Sequence, residues 1–291
     1  MSRILRKIIF VAMAICLCPL CAQAVPVIIS TNGTITLGGT NYYQGNLVRI
    51  DDPTNPNTSA SLYNAVVGNA RNLDAACVQN DGKILFSITG SNYTWNGLTF
   101  YNGDVVRYNP ANSVTELYLK GSTSQPGTDI FGHTTSIWKG SSGSPVTSDT
   151  DAVHLLPNGH VLLSGGDATN YMEYIGGGLL SFQDEDIVEY DPVAKKAVGV
   201  FFDATPYYTV NTTGFSILSS HEVLVAIGAS ATIKGTAFTK QQVIKIDTTA
   251  QTATLFMDDL GSPISAIHVI PEPATILLLG IGSLVVLKRR K

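Results

Sequence analysis

Cysteine is nearly missing from the part of this chain that can fold. Four cysteines occur in 291 residues, and Cys16, Cys18 and Cys21 all fall within the first 24. Cys77 stands alone in the remainder, so no intrachain disulfide can staple the fold. Charge is sparse as well, with Asp, Glu, Lys and Arg making up 14% of the chain, and much of the positive charge sits at the two ends. Between residues 25 and 270, 11 basic against 21 acidic side chains leave a formal charge of −10. An acidic body argues against nucleic acid, and against anionic polymers held by charge alone. Between the same limits there is no HExxH, CxxC, EF-hand loop, P-loop or GxSxG, so no motif supports an enzyme.

Long apolar runs occur only at the ends. At the start, Arg3, Arg6 and Lys7 precede an apolar run over 8–20 and then Ala22-Gln23-Ala24, the small-x-small pattern that signal peptidase accepts. Residues 1–24 are read as a cleaved secretory signal with Val25 as the first mature residue. A lipoprotein reading through Cys21 competes, but Cys18-Pro19-Leu20 lacks the small side chains such a site needs. At the far end the uncharged run 274–287 has 14 residues. At about 1.5 Å per residue it spans roughly 21 Å, short of the roughly 30 Å hydrocarbon core. It makes a short transmembrane helix and a poor permanent anchor, with Lys288, Arg289, Arg290 and Lys291 held cytoplasmic.

Pro271-Glu272-Pro273, then Ala-Thr, a short Leu/Gly-rich span and a terminal basic cluster, in that order, resemble a PEP-CTERM sorting signal. The resemblance covers about 20 residues. It implies a Gram-negative bacterium, recognition by an exosortase and removal of the tail, with membrane contact only before processing. The protein would then lie in the outer envelope or the extracellular matrix.

The body between the ends is repetitive. "TDAVHLLPNGHVLLSGG" followed by "FQDEDIVEYDPVAKKAVGVFFDA" has an upstream counterpart in "LDAACVQNDGKILFSITG" and "FYNGDVVRYNPANSVTELYLKG", and a downstream one in "TTGFSILSSHEVLVAIGAS" and "FTKQQVIKIDTTAQTATLFMDD". Each unit holds four short runs of β-branched and aromatic residues split by Asn-Gly, Asp-Gly or Asp-Pro turns, which predicts a four-stranded antiparallel meander. In the central unit strands a, b, c and d are expected at 151–156, 160–164, 186–191 and 197–203. The first unit, beginning "VPVIISTNG", lacks strand a, and the missing piece appears at the far end as "ISAIHVI", residues 264–270. The expected fold is therefore all-β: residues 25–270 form one domain, a four-bladed β-propeller of four-stranded antiparallel blades, its ring closed by the C-terminal strand. A β-sandwich of some sixteen strands is the alternative and leaves the displaced repeat unexplained. The units also resemble those of propeller-like exported proteins carrying the same C-terminal signal, a likeness that implies no chemistry.

Matching positions across the repeats separate scaffold from site. Tyr42, Phe100, Phe182 and Phe238 stand at one repeat position, as blade packing, and Asp51, Asn109, Asp191 and Asp247 at another, as turn caps. Cys77, His154, Ser216 and His268 share a position in strand a, where a ring of strands would converge. A thiol and two imidazoles there could ligate zinc or another transition metal. The reading adopted is an inner packing layer with no metal and no cofactor, Cys77, His154 and His268 being the candidates if one binds.

The long insertions all fall in the b-to-c and d-to-a connections, on one face of the expected ring. They hold Trp95 and Trp138 with Tyr93, Tyr101, Tyr171, Tyr174, Tyr207 and Tyr208. Loops on a rigid scaffold carry function, and planar aromatics beside Asn, Asp and Thr suit sugars. Trp95, Trp138, Tyr93, Tyr171 and Tyr174 are the ligand-binding candidates. The expected function is a non-catalytic binding or structural protein of the envelope or biofilm matrix, with an exopolysaccharide as partner. The alternative is an extracellular polysaccharide hydrolase or lyase on the same face, using acids among Asp167, Glu173, Asp184, Glu185 and Asp186.

Overall fold

The computed structural model describes residues 25–68 and 71–270; the signal peptide (1–24) and the sorting tail (271–291) lie outside the described residues. Among the described residues no helix is long and apolar enough to cross a membrane. The architecture is all-β and propeller-like, dominated by four antiparallel sheets of four strands each.

Three sheets follow the chain as simple meanders. The second contains Leu73–Val78, Ile84–Ile88, Val105–Asn109 and Val114–Leu119. The third contains Thr150–Leu155, Val161–Gly165, Ile187–Asp191 and Lys196–Phe202, and the fourth Thr212–Ile217, Glu222–Ile227, Val243–Asp247 and Thr252–Met257. The strand limits expected for the third sheet agree within one residue. The first sheet combines both chain ends, in the order Ile264–Val269, Val27–Thr31, Gly45–Ile50 and Ala60–Gly68. Val27 pairs with Val269 and Ile29 with Ile267, so the displaced repeat segment does complete the N-terminal sheet.

The apolar core is divided into four clusters, and each joins two sheets. One packs Leu85 and Val105 of the second sheet against Val153 and Val188 of the third. Another sets Leu162 and Ile187 of the third against Phe215 and Val225 of the fourth. The fourth meets the first through Leu224 and Val243 with Ile29 and Ile267, and the first meets the second through Leu47 and Ala266 with Phe86 and Val106. Both faces of the inner strands are thus covered, which is why Leu73–Val78 and Ile264–Val269 are almost entirely buried. Leu73–Val78 packs against both Ile264–Val269 and Thr150–Leu155, and Thr212–Ile217 against the same two strands.

The b-to-c insertions, expected as loops, are β-hairpins: Ile35–Leu37 with Thr40–Tyr42, Tyr93–Trp95 with Leu98–Phe100, Thr169–Glu173 with Leu179–Gln183, and Ala231–Ile233 with Thr236–Phe238. Their cause is local. Asn96 and Gly97 have φ of 46° and 80°, and Lys234 and Gly235 have 49° and 84°, the two consecutive positive values of a type I′ turn, whose twist matches the flanking strands. Tyr42, Phe100, Phe182 and Phe238 lie on the returning strands, all buried, in line with a packing role. The Asx caps also take shape: Asp191 accepts the N–H groups of Val193 and Ala194, and Asp247 those of Thr249 and Ala250. In the first sheet the cap moves one residue on, since Asp51 pairs with Arg49 while Asp52 accepts the Thr54 N–H.

Candidate functional site

The inner strands place Cys77, His154, Ser216 and His268 in matching registers, opposite Leu85, Leu162, Leu224 and Ile28 of the neighbouring strands. Three of the four converge. One ligand atom from each of Cys77, His154 and His268 lies within 4.8 Å of the other two. Cys77 Sγ is 3.7 Å from His268 Nδ1, and the two imidazole rings lie 6.0 Å apart with their planes 33° from parallel. Ser216 takes another role, its Oγ accepting the Val269 N–H at 3.0 Å. Cys77 Sγ accepts the Leu155 N–H at 3.5 Å in the same manner.

Burial sets the protonation states. It pulls His154 down to about 4; it also pulls His268 down to about 3, helped there by His154. It pushes the Cys77 thiol up to about 11, opposed by the Leu155 N–H. At neutral pH the group is a thiol beside two uncharged imidazoles. His154 Nδ1 is buried without a hydrogen-bond partner, a deficit that costs on the order of 1–3 kcal/mol when nothing fills it.

Above this group lies a cavity of about 690 Å³ at the ends of the four inner strands, lined by Val78, Leu155, Ile217 and Val269 with both histidines. Gln79, Asn80 and Asp81, Arg107, Tyr118 and Pro157 complete its rim and wall. The cavity opens among the short a-to-b turns, on the face opposite the long insertions.

At the other end of the inner strands is a second polar group. All four strands carry a register shift at one repeat position, skipping Asp74, Asp151, Thr213 and Ser265 in turn. A bulge of this kind re-aims a side chain that strict alternation would send elsewhere. Carboxylate oxygens of Asp74, Asp149 and Asp151 consequently lie within 4.8 Å of one another. Burial, and then the charges of Asp149 and Asp151, push Asp74 up to about 9; burial raises Asp151 to about 7 against its bond from Asn211. Asp74 therefore keeps its proton at neutral pH. The repeated Asp-Ala of "LDA" and "TDA" was the available signal for this group, and alternation alone gives no hint of the bulge.

The insertion face differs from expectation. Trp138 is 0% exposed and packs on Phe182 at 6.1 Å, its strand Trp138–Lys139 paired to Thr169–Glu173; it offers no ring face to a ligand, because the hairpin covers it. Trp95 is half-buried between Phe86 at 5.8 Å and Tyr108 at 4.5 Å. Tyr93 lies edge-on to Phe100 at 6.0 Å with the Arg71 guanidinium 5.9 Å over its ring. Tyr171 and Tyr174 are half-buried, and Tyr207 and Tyr208 are buried. Of the acids on this face, Asp186 accepts the Gln183 and Ala204 N–H groups as a loop cap, and Glu173 meets Lys139 at 3.4 Å.

The long d-to-a connection also builds a buried relay that the sequence did not reveal. His133 places Nδ1 2.6 Å from Asp129 Oδ2 and Nε2 2.9 Å from the Tyr190 hydroxyl. Asp129 accepts the N–H groups of Lys120, Phe131 and His133 as well, so its first task is to hold the loop.

Residues 269–291 match the PEP-CTERM protein-sorting motif. The motif implies processing by an exosortase, export, and an envelope or extracellular destination. No curated protein matches the chain. Among solved structures, a protein of unknown function from Bacteroides caccae is 12% identical, with a TM-score of 0.38 over 86% of this chain and 100% of that one. YCF48 bound to D1 peptide is 9% identical, with a TM-score of 0.31 over 84% of this chain and 88% of that one.

Proposed function

We propose that this is an exported, exosortase-processed protein of the envelope or extracellular matrix, folded as a closed four-bladed β-propeller and acting as a non-catalytic binding module. Its ligand site is the cavity at the ends of the inner strands, and its partner is the surrounding exopolysaccharide. Closure is supported by the four core clusters, which link the sheets first to second, second to third, third to fourth and fourth to first. The observation that carries the binding reading is the 690 Å³ cavity itself. Its wall combines apolar Leu155 and Pro157 with the polar residues Gln79, Asn80 and Arg107, a mixture that suits the apolar faces and hydroxyls of a sugar. The tryptophans on the insertion face, being packed, offer much less.

The test uses the mature, processed protein purified from its own cells and the exopolysaccharide of the same cells. Gln79→Ala with Asn80→Ala at the rim should weaken retention at least tenfold without moving the melting temperature, while Tyr171→Ala with Tyr174→Ala should leave it unchanged. The reverse pattern returns the site to the insertion face. Release of reducing or unsaturated ends from a glycan panel by the purified protein would replace binding with hydrolysis or lysis, the reading for which the Asp129–His133–Tyr190 relay is the one structural argument.

A further inference from the structure

We infer that the floor of the cavity is a binding site for a borderline divalent transition-metal ion, of which zinc is the representative, held by Cys77, His154 and His268. The inference rests on the binding role given to the cavity and names what that cavity holds.

Three observations carry it. The first is spacing: one sulfur and two nitrogens around a tetrahedral zinc ion stand about 3.4–3.6 Å from one another. Cys77 Sγ and His268 Nδ1 are already 3.7 Å apart, and all three ligand atoms fall within 4.8 Å. The three residues sit on separate strands that pack against one another. The second is an unfilled valence. His154 Nδ1 is buried with no partner, in a repeat whose fourth member, Ser216, does have its hydrogen bond. A packing layer has no need of an orphaned imidazole nitrogen. The third is access, since both histidines line the cavity. Cys77 lies buried behind them, so three protein ligands with two at the cavity wall leave a fourth position for water or a ligand, the pattern of zinc sites that exchange a ligand, whereas structural zinc sites close all four.

The donor set selects the ion. One thiolate and two neutral imidazoles suit zinc and its neighbours, while calcium and magnesium prefer oxygen. Binding balances as the ion entering, the Cys77 S–H bond breaking, one proton leaving to solvent and the thiolate forming the metal–sulfur bond. No oxidant or reductant is needed. Among the described residues Cys77 is the one thiol and has no disulfide partner, so export to an oxidising compartment leaves it available.

The test is titration of the metal-stripped mature protein, which begins at Val25 and carries Cys77 as its one thiol, with cobalt(II) and zinc(II). Cobalt should give a thiolate-to-metal charge-transfer band saturating at one equivalent, zinc should displace it, and about one proton should be released per zinc bound. Cys77→Ser should abolish the band, and His268→Gln or His154→Gln should weaken binding at least tenfold, with circular dichroism showing the β fold intact in each variant. Asp74→Asn, at the far end of the strands, should change nothing. The inference is overturned if a folded chain takes up no cobalt, or if Cys77→Ser binds zinc as the parent does. Metal binding that fails while the Gln79/Asn80 variant still loses polysaccharide leaves the cavity as the binding site and removes only the ion. Metal binding that succeeds while that variant retains polysaccharide keeps the ion and removes the polysaccharide.

Discussion

At the residue scale the strongest constraint is Asp74. Its carboxyl is 8% exposed, stands among two other carboxylates and is pushed up to about 9. In the unfolded chain the same group titrates near the ordinary value of 3.8. Between those values the native state holds a proton that the unfolded state has released, so the stability this group contributes is full in acid and is lost as pH rises toward 9. Asp151, raised to about 7, acts with the same sign over a lower window. The two half-buried histidines act oppositely, since their folded values are depressed; their contribution is full above about 6.5 and falls away in acid. From pH 7 to pH 9 the carboxylates therefore dominate. The urea midpoint of the metal-free chain should fall over that interval, and Asp74→Asn, which keeps the shape and cannot ionise, should remove most of the fall. A midpoint equally sensitive to pH in that variant would assign the slope to other groups.

At the element scale the hairpin insertions act as covers as well as connections. The hairpin Thr169–Glu173 with Leu179–Gln183 takes Trp138–Lys139 as a third strand and seals the indole against Phe182. Trp138→Ala should then behave as a core deletion, costing about 3–5 kcal/mol, read as a shift in the urea midpoint. Tyr174→Ala, at a half-buried ring, should cost about 1 kcal/mol or less. Equal and small effects would mean that the cover is loose and that Trp138 is available to a ligand after all.

These elements also mark what the sequence made legible. The period of the repeat, the meander within it and the displaced strand were readable because Val, Ile and Leu runs between Asn-Gly and Asp-Pro turns leave few other structures. The convergence of Cys77, His154 and His268 followed from repeat position alone. The hairpins were missed because three-residue strands such as Tyr93–Trp95 are too short to show alternation, although Asn96-Gly97 was a turn signal. The fate of Trp138 was unreadable for a different reason: loop aromatics look alike in sequence whether they face solvent or a neighbouring hairpin, and only the pairing of Trp138 with Met172 decides. The bulge at Asp74 and Asp151 hides in the same way, since an inserted residue breaks the period that would have announced it.

At the scale of the whole molecule, the fold and the sorting signal share a boundary. The matched motif begins at residue 269, and Val269 is also the last residue of the strand that completes the first sheet. Ile270 still donates its N–H to the Pro26 carbonyl at 3.0 Å. An exosortase that cut before Val269 would already take that side chain and its pairing with Val27, and one that cut before Ile264 would remove the whole strand, whose Ile264, Ile267 and Val269 bury against the fourth sheet and whose Ala266 buries against the second. Full burial of the three larger side chains contributes about 1.5–3 kcal/mol each, a sum comparable with the roughly 5–15 kcal/mol that separates a typical folded domain from its unfolded state. The N-terminal strand Val27–Thr31 would also be left with an open edge, a template for aggregation. Processing is therefore expected downstream of Ile270, which intact-mass measurement of the extracellular protein would show. The same reasoning predicts that a chain ending at Asp259 is unfolded or aggregated where one ending at Ile270 melts cooperatively. Equal melting temperatures for the two would mean that Ile264–Val269 docks on a body already complete, and the closed ring would have to be abandoned.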